Sequence, residues 1–272
     1  MDTRSFAILL LSLALLMAIV VGFVARRVLS NTIRASHAPL DNPRRLPKGI
    51  DQVFYINLRR RPDRDAHMQQ QFATAGLAAE RFDAVEGRRM SIERALQHVT
   101  APSLCHALVP QANTGSGNMS LGALGCIASH CALYRQMVEE KHERCLILED
   151  DIDLCPDFIG RLERLLMRLP PQEGMIFLGY HNTVPTPNAS NAPHALLRAT
   201  ENMFGFFGYV ISLSAAQWLL DALPYPYQLD TVSGLVWAAH HYRPVVVTPP
   251  LVRSYGSHVN PWGTDIQHIS VA

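Results

Sequence analysis

In the stretch Leu146-Ile147-Leu148-Glu149-Asp150-Asp151-Ile152-Asp153, four acidic residues follow a purely aliphatic run. A short aliphatic run of this kind reads as a buried strand. Burying an unpaired carboxylate is costly, and several together repel one another. Acidic groups clustered at the end of a buried strand therefore need a partner, most simply a divalent cation. An all-oxygen donor set suits Mg²⁺ or Mn²⁺, ions that commonly hold the phosphates of a nucleotide. A solvated acidic edge between strand and loop is the plainer reading of the same residues.

Around this stretch, the pattern resolves into strands and helices. Residues 121–140 have helical spacing, with Leu124, Ile127, Cys131, Tyr134 and Val138 on one face. Residues 53–58 predict a buried strand. Pro62 marks a turn or helix start, residues 65–75 predict a helix, and Gly76 stands where a left-handed cap would end it. Residues 80–85 predict a second strand, and 97–119, with no clear period, an irregular segment. Beyond the acidic stretch, residues 158–169 predict an amphipathic helix with Leu162, Leu165, Leu166 and Leu169 inward. Strands are expected at 175–178, 206–213 and 245–247, helices at 215–222 and 230–241, a polar surface loop at 181–194 and a polar tail from Ser254. Strands alternating with helices imply an α/β domain.

The 272 residues suffice for one large domain or two small ones. A formal net charge of +1 provides no global field for nucleic acid. The five cysteines include no C-x-x-C pair, which argues against a dense disulfide framework and a zinc ribbon, while one disulfide in an oxidising lumen stays open. Residues 6–25 are uncharged and rich in Leu, Ala, Val and Ile. As a helix they would span roughly 30 Å, the hydrocarbon thickness of a bilayer. Phe23, two residues before Ala25, makes a poor cleavage context, so an uncleaved single-pass anchor is expected. Residues 26–49, with Pro39, Pro43 and Pro47, read as a stem, and 50–272 as the globular body. Arg26, Arg27 and Arg34 after the span outnumber Arg4 before it, which favours a cytoplasmic body. First helices can break that rule, so a Golgi/ER-type lumen and the cytoplasmic face of a bacterial inner membrane both stay open.

Several blocks then follow in order: Tyr55-Ile56-Asn57-Leu58 with Arg60 to Arg64 behind it, Phe82-Asp83-Ala84-Val85-Glu86-Gly87, and Leu121-Gly122-Ala123-Leu124-Gly125-Cys126 with Ser129-His130. Leu148-Glu149-Asp150-Asp151, Gly208-Tyr209-Val210-Ile211-Ser212 and Asp230 complete the series. In order and spacing, over residues 50–255, this resembles glycosyltransferase family 25, which includes lipooligosaccharide galactosyltransferases of bacteria and procollagen galactosyltransferases of animals. The resemblance implies a GT-A-like fold, a nucleotide-binding α/β sandwich with a central, mostly parallel sheet. Ligands of open α/β sheets sit beyond the carboxyl ends of the strands, which would join Asn57 and the acidic cluster in one site. The implied activity is metal-assisted, inverting transfer of a hexose, galactose from UDP-galactose, to a glycan, lipid-linked saccharide or protein hydroxyl, with Mn²⁺ or Mg²⁺ as cofactor.

The resemblance also implies roles. Asp151 would be the direct metal ligand, with Asp153 as an alternative D-x-D partner. His258 would add a late ligand from the tail, unless it is simply an exposed tail histidine. Glu149 would approach the ribose or a metal-bound water, and Asp150 joins the catalytic set by holding backbone or an outer water. Arg61 and Arg64 would meet the uracil or diphosphate, since guanidinium groups suit phosphate; a solvated basic turn is the alternative. Asn57 and Asp83 would contact the nucleotide edge. His130 would bond the donor or orient an acid, or else serve the core. Gly122 and Gly125 would permit close backbone approach or simple packing. Asp230 would be the base that takes the acceptor proton, or else a helix N-cap. Arg59 departs from the family, which often has aspartate there, and Gly205-Phe206-Phe207-Gly208 is unusually aromatic. Two other functions are weighed against this one. A haloacid-dehalogenase-type phosphatase would also place D-x-D after a strand, although Leu154-Cys155-Pro156 departs from its pattern. A non-catalytic glycosyltransferase-like binding protein is the second.

Overall fold

The computed structural model describes residues 43–109, 119–181, 194–199 and 204–254. In chain order these carry β1 (Gln52–Asn57), α1 (Pro62–Ala75), β2 (Glu80–Asp83), a 3-10 turn (Gly87–Arg89), α2 (Ile92–Ala95), α3 (Ala101–Leu108) and α4 (Leu121–Glu140). Then come β3 (Arg144–Glu149), β4 (Ile152–Leu154), α5 (Phe158–Leu166), β5 (Met175–Phe177), β6 (Ala195–Arg198), β7 (Gly208–Ser212), α6 (Leu213–Asp221), α7 (Leu229–Ala239), β8 (Val245–Thr248) and β9 (Val252–Ser254). The anchor expected at 6–25, the stem up to residue 42 and His258 lie outside the described residues. Among the described residues no helix is long and apolar enough to cross a membrane.

Seven strands form one sheet in the order β2-β1-β3-β7-β5-β8-β6. β1 pairs in parallel with β2 and β3, and β5 with β8. β7 is antiparallel to β3 and β5, and β6 to β8. Thus β1, β2, β3, β5 and β8 run one way and β6 and β7 the other. This mixed, mostly parallel sheet fits the GT-A-like architecture. β4 and β9 form a separate antiparallel pair.

Side chains of a strand alternate between the two faces of its sheet, and the core divides accordingly. Phe54, Ile56, Cys145, Ile147, Tyr209 and Ile211 pack with Leu124, Ile127 and Tyr134 of α4, Ala216 and Leu219 of α6, and Val232 and Val236 of α7. Val53, Tyr55, Leu146, Leu148 and Val210 pack with Met68 and Phe72 of α1 and with Phe158, Leu162 and Leu165 of α5. Helices therefore cover both faces, as a largely parallel sheet requires. Burying each such Leu, Ile or Phe contributes about 1.5–3 kcal/mol.

Helix ends follow local chemistry. Ser120 caps α4, its hydroxyl accepting from Ala123 N at 3.0 Å. Gly76 ends α1 with φ 65, as its position predicts. Four expectations need correction. The segment 97–119 contains α3, which starts after Thr100 with Pro102 in its first turn; its inward residues Leu104 and Ala107 are too few to display a period. β4, β6 and β9 went unseen because each places a charged residue among two or three others, and so lacks the apolar run that marks the equally short β5 and β8. Val138 is only partly buried, and Leu133 and Met137 fill the α4 face instead. The N-cap of α7 is Gln228, so Asp230 lies inside the first turn and is not the cap.

Candidate active site

The parallel register of β1 and β3 sets Ile56 beside Glu149, so Asn57 and the acidic residues meet at the same carboxyl edge. Alternation then separates the acids. Glu149 continues the series Cys145 and Ile147 toward α4. Asp150 continues the series Leu146 and Leu148 toward α1.

On the α1 side, Asp150 is held at both oxygens. Asn57 Nδ2 donates to Oδ2 at 2.7 Å, and Arg64 Nη1 to Oδ1 at 2.7 Å. Asn57 also donates to the Arg61 carbonyl at 3.1 Å, while its Oδ1 accepts from Arg81 Nε and Nη2 at 3.0 and 2.7 Å. Asn57, Arg64 and Asp150 are all buried. Such a network specifies one geometry for the loop after β3. Arg64 Nη1 also lies 3.4 Å from Asp151 Oδ2, and the Asp151 side chain keeps 16% exposure.

On the α4 side, Glu149 Oε1 lies 3.8 Å from Cys126 Sγ and 3.5 Å from His130 Nε2. His130 Nδ1 meets the Tyr209 hydroxyl at 2.6 Å, which meets the Tyr134 hydroxyl at 2.8 Å. Burial pushes the Glu149 carboxyl up to about 8, with Asp150 and Asp230 adding to the effect. Burial holds the His130 imidazole down to about 4, although Asp230 opposes this. Burial raises the Asp230 carboxyl, and its backbone hydrogen bonds partly offset the rise. One of these is from Gly205 N to Oδ1 at 3.0 Å. Glu149, His130 and Asp230, from three separate elements, thus form one electrostatic group.

Cys126, His130, Glu149, Asp150 and Arg64 border an open cleft between the edge of β1 and β3, the loop after β2 and the start of α4, whereas Asn57, Asp151 and Asp230 do not line it. Ile56, Leu58, Ala84 and Val85 offer apolar wall; Arg60, Arg64, Glu86 and Arg88 offer charge; Cys126, Ser129, His130 and Glu149 line the α4 side. The loop is seated by two glycines. A Cβ on Gly87 would stand 1.9 Å from the Leu121 carbonyl oxygen, and one on Gly125 2.6 Å from that of Val85. Ser129 Oγ accepts from Val85 N at 2.8 Å and donates to the Gly125 carbonyl at 2.7 Å.

The other expected site residues have different company. Arg61 pairs with Asp63 at 2.8 Å, and Asp83 with Arg59 at 2.6 Å and Arg81 at 2.9 Å. Neither Arg61 nor Asp83 lines the cleft. Asp153 accepts from Gln71 Nε2 at 2.6 Å and lies 3.3 Å from His67 Nε2. Gly122 lines the cleft and Gly125 does so while packing on the loop. Arg81, Cys126 and Tyr209 carry no role in the sequence reading, although Cys126 and Tyr209 stand in its quoted blocks. Cys126 was legible, since it stands four residues before His130 on one helix face; Arg81 and Tyr209 act only through tertiary neighbours.

For a hard divalent cation the donor chemistry fits. Asp150 is committed to Asn57 and Arg64, and Asp153 is engaged by α1. Asp151 lies between them in the loop after β3, partly exposed and 3.4 Å from Arg64 Nη1. Mg²⁺ and Mn²⁺ sites of this kind use one or two carboxylates, with water and phosphate oxygens completing the shell.

The fold and this site agree with the sequence comparisons, by which the chain belongs to glycosyltransferase family 25. The family model described as glycosyltransferase family 25 (LPS biosynthesis protein) matches residues 50–233. The chain is 34% identical over 189 residues to a glycosyltransferase 25 family member of Drosophila melanogaster, covering 67% of this chain and 29% of the relative. It is 26% identical over 181 residues to procollagen galactosyltransferase 2 of Homo sapiens, covering 65% and 28%. It is 28% identical over 236 residues to a probable inactive glycosyltransferase 25 family member 3 of Bos taurus, covering 84% and 37%. The chain thus spans well under half the length of these relatives. Family membership sets the phosphatase reading aside.

Proposed function

We propose that this chain is a membrane-anchored, metal-assisted glycosyltransferase that moves a hexose, galactose, from a UDP-sugar to a glycan, lipid-linked saccharide or protein hydroxyl, with inversion. The observation that carries the proposal is the meeting of Asn57 and the Glu149–Asp151 trio at the carboxyl edge of parallel β1 and β3, beside the cleft. Galactose is favoured because a relative bears the name procollagen galactosyltransferase.

In this reading the nucleotide lies against Leu58, Val85 and Gly87, with Arg60, Arg64 and Arg88 facing its phosphates. Asn57 and Arg64 hold Asp150, and so aim the backbone that presents Asp151. A divalent cation held by Asp151 would supply positive charge for the departing diphosphate. Glu149 approaches the ribose. Inversion needs a single in-line displacement and a base for the acceptor hydroxyl. Asp230 takes that role; burial raises its carboxyl and so strengthens it as a base.

The test is UDP release by the full chain from a panel of UDP-sugars, with Mn²⁺ or with chelator. Mn²⁺-dependent release from one donor supports the proposal and names the sugar. Donor binding without release, even with candidate acceptors, would favour a non-catalytic binding protein, a reading consistent with the inactive relative. Neither binding nor release would overturn the proposal.

A further inference from the structure

We propose that Cys126, His130 and Glu149 form a binding site for a thiophilic divalent cation, Zn²⁺, chemically distinct from the all-oxygen site at Asp151. Cys126 and His130 stand four residues apart on α4 and so share one helix face. Glu149 reaches them from the end of β3. One ligand atom from each of the three lies within 4.8 Å of the others.

Two of the donor separations match the ion, and the third lies within 4.8 Å. Zinc–ligand bonds of about 2.0–2.3 Å imply tetrahedral edges of roughly 3.3–3.8 Å between donor atoms. Glu149 Oε1 lies 3.5 Å from His130 Nε2 and 3.8 Å from Cys126 Sγ. The imidazole contact is long for a hydrogen bond and the thiol contact is a weak one, and each fits a tetrahedral edge.

His130 supplies the independent observation. Its side chain is buried, and Nε2 makes no hydrogen bond among the described residues. A buried nitrogen without a partner is costly. Its other nitrogen, Nδ1, is fixed by Tyr209, which Tyr134 holds in turn. A histidine anchored at one nitrogen with the other aimed at a thiol and a carboxylate has the outer-shell arrangement typical of metal sites.

Sulfur, imidazole and carboxylate together select Zn²⁺ over Mg²⁺. All three residues line the cleft, so the fourth position opens toward it. Three protein ligands with an open fourth place is the pattern of sites that exchange water or bind a ligand. On binding, the ion replaces the thiol proton of Cys126 and any proton on Glu149, and these pass to solvent.

The test uses the reduced full chain with Co²⁺ as a spectroscopic stand-in, and no sugar donor, so its outcome does not depend on the transferase reading. The expected result is a near-ultraviolet thiolate-to-cobalt band that equimolar Zn²⁺ bleaches and excess Mg²⁺ does not. Cys126→Ser should abolish the band and His130→Gln should weaken affinity at least tenfold. Cys105→Ser, remote and exposed, should leave it intact. Should a variant fail to fold, Zn²⁺ protection of Cys126 against iodoacetamide in the unaltered chain, read by peptide mass, serves instead. Absence of the band in the parent, its survival in Cys126→Ser, or no protection would overturn the site.

Discussion

Arg64 on α1 lies 2.7 Å from Asp150 at the end of β3, and both side chains are buried. The pair fastens a helix on one face of the sheet to the edge from which the acidic loop emerges. Asn57 occupies the other carboxylate oxygen of Asp150 at 2.7 Å. A buried charge is tolerable when so paired, and removing one partner is far costlier than removing both. Arg64→Met should therefore destabilise the chain by about 3–5 kcal/mol. Adding Asp150→Asn should recover at least half of that loss. Denaturant unfolding checks both; an Arg64→Met chain as stable as the parent would show that solvent reaches Asp150.

Asp151, next in the chain, also faces Arg64, at 3.4 Å, but keeps 16% of its side chain exposed. Asp151→Asn should abolish Mn²⁺-dependent donor binding while leaving the melting temperature within a few degrees of the parent. Calorimetric titration with UDP-sugar, with and without Mn²⁺, makes the comparison. Equal donor affinity in mutant and parent would remove Asp151 from the metal site.

Gly87 and Gly125 let the loop after β2 touch the first turns of α4, backbone against backbone. The obstacles to a side chain are main-chain atoms, 1.9 Å away for Gly87. Gly87→Ala should cost about 1–3 kcal/mol or more through overpacking. It should also weaken donor binding, because the displaced loop forms a wall of the cleft. Thermal unfolding and donor titration of the same variant read the two effects.

Acid should act through His98. Burial, with Arg135 and Arg94 nearby, holds this imidazole down to about 4, from an ordinary value of 6.5. The folded chain keeps His98 neutral where the unfolded chain takes up a proton. Stability therefore rises with pH between about 4 and 6.5 and falls away as acid is added through that window. Full protonation only in the unfolded state corresponds to a loss on the order of 3 kcal/mol by pH 4. His98→Gln should flatten this part of the stability profile relative to the parent, with His130 common to both. An unchanged slope in urea titrations at pH 4.5 and 6.5 would dismiss His98 as the source.

Much of this architecture is local in origin and so readable along the chain. Unbroken apolar runs mark β1 and β3, 3.6-residue spacing marks α4, and Gly76 announces the end of α1. The acidic residues after Leu148 declared themselves by contrast with the aliphatic run before them. β4 and β9 stayed hidden, because a charged residue breaks each apolar run and their pairing joins segments about a hundred residues apart. The division of labour among the acids was equally hidden. Sequence alone shows Glu149, Asp150 and Asp151 as neighbours of like chemistry. Only the fold turns Asp150 toward Arg64 and Asn57 and Glu149 toward Cys126 and His130, and leaves Asp151 partly exposed. A carboxylate's role depends on what surrounds it, and those surroundings come from α1, α4 and α7, which adjoin β3 only once the chain has folded.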